Sequence, residues 1–259
     1  MYIVWGTKLV RSKLGRRADF CPLCRDVAAT RVIRVATVPH VNYIPMGRKK
    51  DVGIEETCEG CGLMRSTETG PDGPRPEVSR DRHADLESLI FATYPDVRAD
   101  NAERLAYEAR LRDGRLEPGE RKSALLESFT LAGHRFEAEA SRSHIDGASV
   151  LLAAVAVITG LVGVISHAEN QPGAGVWVPV FLTIAAVTFV ASMGRIMTTP
   201  RRRARKVVLP VLARAIRPLA PTPEDVGEAL EAIKARGLKL GKVATAEDVE
   251  HALLVGGVG

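Results

Sequence analysis

Two long apolar runs dominate the pattern of hydrophobic and polar positions along the chain. Residues 145–166 and 176–197 contain one ionisable side chain each, Asp146 and Arg195. As a helix, either run is long enough to cross a hydrocarbon core of about 30 Å. The polar segment 167–175 between them contains proline and glycine, so the helices would be antiparallel neighbours. The sequence therefore predicts a two-helix transmembrane hairpin, with transmembrane helices at 145–166 and 176–197 joined by a non-cytosolic turn.

The segment before the first apolar run has the period of amphipathic helices. Its clearest apolar stripe steps by three and four residues, from Leu125 through Phe129 and on to Phe136. We therefore predict a cytosolic α-helical region over 83–143. Several prolines and glycines precede it, and they predict a linker over 67–82.

The last part of the chain carries two helix-start signals. Thr222 is followed by Pro223 at the first helical position and by Asp225 at the third, which is the pattern of a capped helix N-terminus. Thr245 begins a second signal of the same kind. These signals predict a C-terminal α-helical hairpin over 221–259.

The N-terminal quarter has strand character. Residues 31–38 mix β-branched with polar side chains, residues 47–51 have turn composition, and 52–57 return to a strand pattern. The apolar start of the chain is too short for a signal peptide. We predict a small β domain over 1–66.

Charge then suggests how the chain is oriented. The net charge is +5 and the sequence pI is about 9.2, which favours an anionic partner. The turn 167–175 has no Lys or Arg, whereas the juxtamembrane segment 198–220 is strongly basic, so both termini are predicted to be cytosolic in a protein of the cell membrane. The residues predicted to attract anionic lipid headgroups of the bilayer, by about 1 kcal/mol each, are Arg201, Arg202, Arg203, Arg205 and Lys206.

The four cysteines of the chain form two C-x-x-C pairs, Cys21 with Cys24 and Cys58 with Cys61. Two such pairs can complete the tetrahedral thiolate shell that Zn²⁺ prefers, and a full shell leaves no position for catalysis. We predict one structural zinc ion. Two disulfides, an iron electron-transfer site and a redox dithiol remain as alternatives.

These pairs lie in a wider arrangement, with Trp5 and Gly6 before the first pair and residues 41–45, Val-Asn-Tyr-Ile-Pro, between the two. Over residues 2–65 the chain resembles zinc-ribbon proteins with paired rubredoxin-like knuckles. Arg25 stands where such knuckles often have glycine. The resemblance implies a metal site held by the four cysteines, and it implies no particular activity.

Other candidate chemistry is sparse. His83 lies between Asp81 and Asp85 at a predicted helix start, and His134 lies one turn from Glu137. Both groups are typical of capped or solvated helix positions. The chain has no P-loop, dinucleotide-binding fingerprint, nucleophile elbow or H-E-x-x-H motif. We predict that the protein is not an enzyme.

Together these observations predict a multi-module membrane protein with a small β zinc ribbon, an α-helical region, a two-helix transmembrane hairpin and a C-terminal α-helical hairpin. The expected function is that of a non-enzymatic adaptor or scaffold, which recruits a cytosolic protein partner to the membrane. A rubredoxin-like iron electron carrier is one alternative. Another is a membrane-tethered nucleic-acid-binding protein, which would use the basic residues around the first knuckle: Lys8, Arg11, Lys13, Arg16, Arg17, Arg31, Arg34, Arg48, Lys49 and Lys50.

Overall fold

The N-terminal part of the chain is an antiparallel β-sheet. The computed structural model describes residues 5–42, 44–68, 75–142, 147–168 and 174–255. The strands are β1 Trp5–Cys21, β2 Asp26–Val41, β3 Ile44–Pro45, β4 Lys50–Cys58 and β5 Met64–Glu68. The strand order is β1-β2-β4-β5, and the short β3 pairs with the end of β2.

The register of the sheet brings two tight turns together at one end. β1 and β2 form a hairpin that turns immediately after Cys21, and β4 and β5 form a hairpin that turns immediately after Cys58. β2 pairs directly with β4, with Thr30 opposite Cys58. Since both hairpins turn at the same end of the sheet, the two C-x-x-C segments are neighbours, although more than 30 residues of chain separate them.

The rest of the chain is helical. The helices are α1 Leu86–Thr93, α2 Val97–Asp100, α3 Ala102–Arg112, α4 Pro118–Arg142, α5 Gly147–Ala168, α6 Ala174–Arg203, α7 Leu209–Ile216, α8 Pro223–Ala235, α9 Leu240–Val243 and α10 Ala246–Val255. Gly114 follows α3 with a positive φ of 67°, a conformation that suits glycine at a helix end. A π-helical turn, Ala204–Val208, joins α6 to α7, and a 3₁₀ turn, Arg217–Leu219, follows α7.

One apolar core joins α4, α7, α8, α9 and α10. Phe129 of α4, Ile216 of α7 and Ile233 of α8 are fully buried in it. The apolar stripe predicted between Leu125 and Phe136 is the buried face of α4, so this helix prediction is confirmed. The C-terminal helices have little core of their own, and they obtain one by packing on α4 and α7.

The helix start predicted at Thr222 is also confirmed. The hydroxyl oxygen of Thr222 accepts a hydrogen bond from the backbone N–H of Asp225 at 3.2 Å, and the Asp225 carboxylate accepts one from the backbone N–H of Thr222 at 3.0 Å. This reciprocal pair is a capping box, which satisfies backbone donors that a helix N-terminus otherwise leaves unpaired. Local sequence was sufficient to find it because all its atoms lie within four residues.

The transmembrane prediction is not supported. Across the described ranges, no helix combines the length and the apolarity that a bilayer crossing demands. A crossing requires about 20 consecutive apolar residues, and the two predicted spans overlap α5 and α6. The two helices pack against each other, and many of their described apolar side chains are exposed, Ile158 and Val190 among them.

This finding contradicts several predictions that depended on the two spans. These are the transmembrane helices at 145–166 and 176–197, the multi-module membrane fold class, and the assignment to the cell membrane with both termini cytosolic. The prediction counted uncharged residues in a one-dimensional pattern. The physical requirement is a continuous apolar helix of full bilayer length, which the described residues do not provide.

The basic segment that was predicted to face lipid has a partner within the chain. Arg205 Nε donates to the carboxylate of Asp248 in α10 at 2.8 Å, and Arg201 Nε donates to the same carboxylate at 3.3 Å. Burial acts to raise the pKa of Asp248, but hydrogen bonds from Arg205, the Thr245 backbone and Arg201 outweigh it, so the pKa lies below its usual value. The ionised carboxylate therefore helps to hold α10 against the end of α6.

We expect the substitution D248N to lower the free energy of unfolding by about 1–3 kcal/mol at pH 7, because it weakens two charge-assisted hydrogen bonds. Urea denaturation would measure this change, with E247Q on the exposed side of the same helix turn as the control. The contribution is present above an unfolded-state pKa of about 3.9 and is lost as the pH falls through the lower folded-state pKa. The wild type and D248N should therefore converge in acid, and equal stability at pH 7 would contradict the assignment.

Candidate metal centre

The two turns at the end of the sheet bring the four cysteine thiols together. Their sulfur atoms all lie within 4.8 Å of one another. The Sγ atoms of Cys21 and Cys61 are 3.4 Å apart, and those of Cys24 and Cys58 are 3.6 Å apart. Four sulfurs at the corners of a tetrahedron with metal–sulfur bonds of about 2.3 Å would be about 3.8 Å apart. The four cysteines are therefore positioned to hold one metal ion.

The two C-x-x-C turns have the same backbone conformation. Four residues after the first cysteine of each pair, the backbone N–H of Arg25 donates to Cys21 O, and that of Gly62 donates to Cys58 O, both at 2.8 Å. Arg25 and Gly62 both have positive φ, 60° and 71° respectively. This repeated geometry turns both thiols of each pair toward the same point.

Backbone N–H groups also point at the sulfur atoms. The N–H of Cys24 lies 3.5 Å from Cys21 Sγ, and the N–H of Leu63 lies 3.4 Å from Cys61 Sγ. Hydrogen bonds among the four thiols lower the pKa of Cys58 and of Cys21 below that of an ordinary thiol, and they raise the pKa of Cys24 and of Cys61. Two of the four sulfurs therefore favour the anionic form, which is the form that binds metal.

The centre lies between the sheet and the helices. Three of the four cysteines are buried, and Cys24 is half-buried. They share an apolar cluster with Ala215 of α7, and Leu131 of α4 and Val211 of α7 pack against its edge. The cysteine cluster is therefore part of the surface that the β domain presents to α4 and α7.

Arg25 connects the first turn to the helical core. Its side chain is almost fully buried, and its guanidinium donates to Glu108 Oε2 of α3 at 2.7 Å. It also donates to the carbonyl oxygen of Ala215 at 3.0 Å and to the hydroxyl of Ser128 at 2.8 Å. A glycine at this position would relieve the positive φ. The side chain that stands here instead forms contacts to three helices.

A second arginine lies against the other turn. Arg135 of α4 is 7% exposed, and its Nε and Nη1 atoms have no hydrogen-bond partner in the described structure. Gly62 is in contact with it, since a Cβ atom at Gly62 would lie 3.1 Å from Arg135 Nη2. A buried guanidinium without a partner is costly. Four thiolates around one divalent ion carry a net charge of about −2, which supplies the neighbouring anionic centre that this guanidinium lacks.

The other groups considered from the sequence do not form a comparable site. Within the described ranges, the cysteine cluster is the one group of three or more potential metal ligands that comes together. Asp81 accepts a hydrogen bond from the backbone N–H of His83 at 2.8 Å, so its carboxylate stabilises a local turn. Arg201 and Arg205 of the basic segment bind Asp248, as described above.

Sequence reasoning noted Arg25 only as a departure from the glycine that similar knuckles often have, and it missed Glu108 and Arg135, which also surround the centre. One signal was present, because a bulky residue stands at the position of the first turn where its left-handed backbone favours glycine. The partners of that residue lie 83 or more positions away in the chain. The spacing of residues along the sequence does not predict contacts between residues so far apart in the chain.

No protein-family model, curated protein or solved structure matches the chain. The resemblance to zinc ribbons therefore depends on the cysteine spacing and on the geometry of the four thiols.

We expect E108Q to lower the free energy of unfolding by about 3–5 kcal/mol, because it leaves the buried Arg25 guanidinium without its counter-charge. Chemical denaturation would measure the loss. The control is E103Q on the exposed face of α3, which should change stability by less than about 0.5 kcal/mol. An E108Q variant as stable as the control would show that the buried ion pair does not hold the domains together.

We expect R135Q to weaken metal binding at least tenfold, because it removes the positive charge beside the thiolates. Titration with Co²⁺, followed by the visible absorption of its thiolate complex, would give the affinity. The control is R121Q, a partly exposed arginine near the start of α4 that donates to Ala220 O. Equal Co²⁺ affinity in R135Q and in the wild type would refute the electrostatic role of Arg135.

Proposed function

We propose that the chain is a non-enzymatic scaffold protein, in which one structural zinc ion of the zinc-ribbon type joins a β domain to a helical domain. The observation that carries this proposal is the position of the four-thiol cluster, buried between the hairpin turns and helices α4 and α7. Cys21, Cys24, Cys58 and Cys61 would hold the ion.

The donor set supports zinc. Four thiolates within 4.8 Å of one another suit its preferred tetrahedral coordination. The Arg135 guanidinium, of which two nitrogens have no hydrogen-bond partner in the described structure, complements the charge of the complex. Since four protein ligands complete the shell, no open position is left for water or substrate. The role of the ion in this proposal is structural. Iron would bind to the same four thiolates, but an iron–thiolate complex absorbs visible light, whereas a zinc–thiolate complex is colourless.

The energetics of metal binding would make the two domains interdependent. Structural zinc supplies about 10–16 kcal/mol of apparent binding energy in small zinc domains. Here the first turn also places the Arg25 side chain among α3, α4 and α7. Loss of the ion would release this turn, so zinc would stabilise the interface between the domains as well as the β domain.

A scaffold of this kind would present the combined surface of both domains to a protein partner. The proposed role is the recruitment of a partner, and this role does not depend on a membrane.

The nucleic-acid alternative receives little support from the basic residues that suggested it. Arg11 pairs with Glu55, Arg17 with Glu56, and Arg34 with Asp51. These carboxylates neutralise much of the positive charge on the open sheet surface. An extended nucleic-acid-binding face over this sheet is therefore not our proposal.

Metal analysis of the purified full-length protein is expected to give one zinc ion per chain and no visible absorption. Chelation should lower the melting temperature and increase the hydrogen exchange of α7 as well as that of the β domain. The substitution C24S should have the same effect as chelation, whereas the control P22A, in the same turn but without a ligand atom, should retain zinc.

A coloured protein that contains iron would contradict the zinc assignment. If chelation loosened the β domain but left α7 fully protected, the ion would not act as a link between the two domains.

A further inference from the structure

A basic cleft lies beside the metal centre, on the side of the sheet where β1 bends. It has a volume of about 540 Å³. Its walls come from residues 13–16 of β1, from Arg31 of β2, from Glu59 in the second turn and from Ser79, Arg80 and Arg82 in the segment before α1. This volume lies within the range of ligand-binding clefts, about 300–1,000 Å³.

The shape of the cleft is set by backbone contacts. The register of β1 against β2 shifts between Lys13 and Gly15, and a shift of this kind redirects side chains at the edge of a sheet. Ser79 then bonds to β1 through two backbone hydrogen bonds with Arg16, both of 2.8 Å. A Cβ atom at Gly15 would lie 2.4 Å from Ser79 O, so the close approach of this segment requires glycine.

Positive charge accumulates in this cleft without full neutralisation. Five basic side chains and one carboxylate, that of Glu59, line it. Arg16 donates to Glu59 at 2.8 Å and to the carbonyl oxygens of Arg82 and Ala84. These hydrogen bonds hold its guanidinium in place in the lining of the cleft. Arg31 lies 3.6 Å from the same carboxylate.

The remaining basic groups are not committed to ion pairs. Within the part of the chain that the structure describes, no ion pair involves Lys13, Arg80 or Arg82, and all three side chains are exposed. This differs from the open sheet surface, where arginines are paired with carboxylates. The cleft is therefore a local concentration of available cationic donors.

The donor set indicates the class of ligand. Guanidinium groups form paired, charge-assisted hydrogen bonds to phosphate oxygens, and a lysine ammonium adds a point charge. The lining contains no aromatic side chain on which a nucleobase could stack. We propose that this cleft binds the phosphate groups of an anionic ligand, through Lys13, Arg31, Arg80 and Arg82.

Two sources could present such phosphates, a free phosphate compound or the backbone of a single-stranded nucleic acid. This proposal goes beyond the structural role of the metal, and it holds whether or not the ion is zinc. The cleft would bind phosphate groups from either source, because its donors match phosphate oxygens. Its binding of a nucleic acid would therefore not depend on the base sequence.

The test uses the full-length, metal-loaded protein with two probes, inorganic pyrophosphate and oligothymidylate of twelve nucleotides. Binding is measured by calorimetry for the first and by fluorescence anisotropy across a range of KCl concentrations for the second. The variant R80Q/R82Q removes two exposed donors that form no ion pair. The control R48Q/K49Q removes the same charge from an exposed turn of the β domain outside the cleft.

We expect R80Q/R82Q to weaken binding at least tenfold and the control to weaken it less than twofold. If oligothymidylate binds, the variant should also reduce the salt dependence, by about 0.7 in the slope of log K against log[salt] for each lost contact. Cleft-dependent binding of both probes assigns the phosphodiester backbone, and cleft-dependent binding of pyrophosphate alone assigns a free phosphate compound.

Three results would overturn the proposal. One is no binding of either probe, and another is an equal loss of affinity in R80Q/R82Q and R48Q/K49Q, which would indicate general charge attraction. The third is displacement of the probes by oligoglutamate as effective as that by pyrophosphate, because the cleft would then not distinguish phosphate from carboxylate. The metal content of R80Q/R82Q should remain unchanged in every case, so this test is separate from that of the proposed zinc role.

Discussion

The convergence of four cysteine thiols at one end of the sheet is the constraint on which the remaining architecture depends. Tight turns that close two antiparallel hairpins must lie side by side to bring these sulfurs within 4.8 Å of one another. The direct pairing of β2 with β4 achieves this. Once the turns are adjacent, their outer face becomes a compact surface, and α4 and α7 pack on that surface.

Two arginines then adapt this surface to the helical domain in different ways. All three guanidinium nitrogens of Arg25 have hydrogen-bond partners, which are Glu108, Ser128 and backbone carbonyls, so the side chain is a directional link between the first turn and three helices. Arg135 has two buried nitrogens without a partner, and it lies against Gly62 of the second turn. A buried charge without a partner destabilises the folded protein, whereas the attraction within a buried ion pair offsets the cost of removing both charges from water. The unpaired guanidinium is therefore explained best by a negatively charged metal–thiolate centre beside it.

Charge is used differently on each part of the surface. On the open sheet, Arg11, Arg17 and Arg34 pair with two glutamates and an aspartate, which neutralise the charge of these arginines. At the end of α6, Arg201 and Arg205 are directed at Asp248 and help to hold α10. Among the described residues, Lys13, Arg80 and Arg82, which line the cleft beside the metal centre, form no such ion pairs. The overall charge of +5 is therefore distributed unevenly over the surface.

The sequence by itself determined the features whose atoms are close in the chain. The spacing of the cysteine pairs identified the four residues of the candidate centre, the three-and-four stripe identified α4, and Thr222 with Asp225 identified a capped helix start. The two predicted membrane spans show the limit of predictions from local sequence. They were predicted from a count of uncharged residues, but no helix among the described residues combines enough length and apolarity to cross a membrane. Only the tertiary structure decided that Arg25 meets Glu108, that Arg135 lies on Gly62 and that Arg205 binds Asp248. Each of these contacts joins segments at least 43 residues apart. Periodicity and spacing describe local geometry, and long-range partners are chosen by the packing of whole elements.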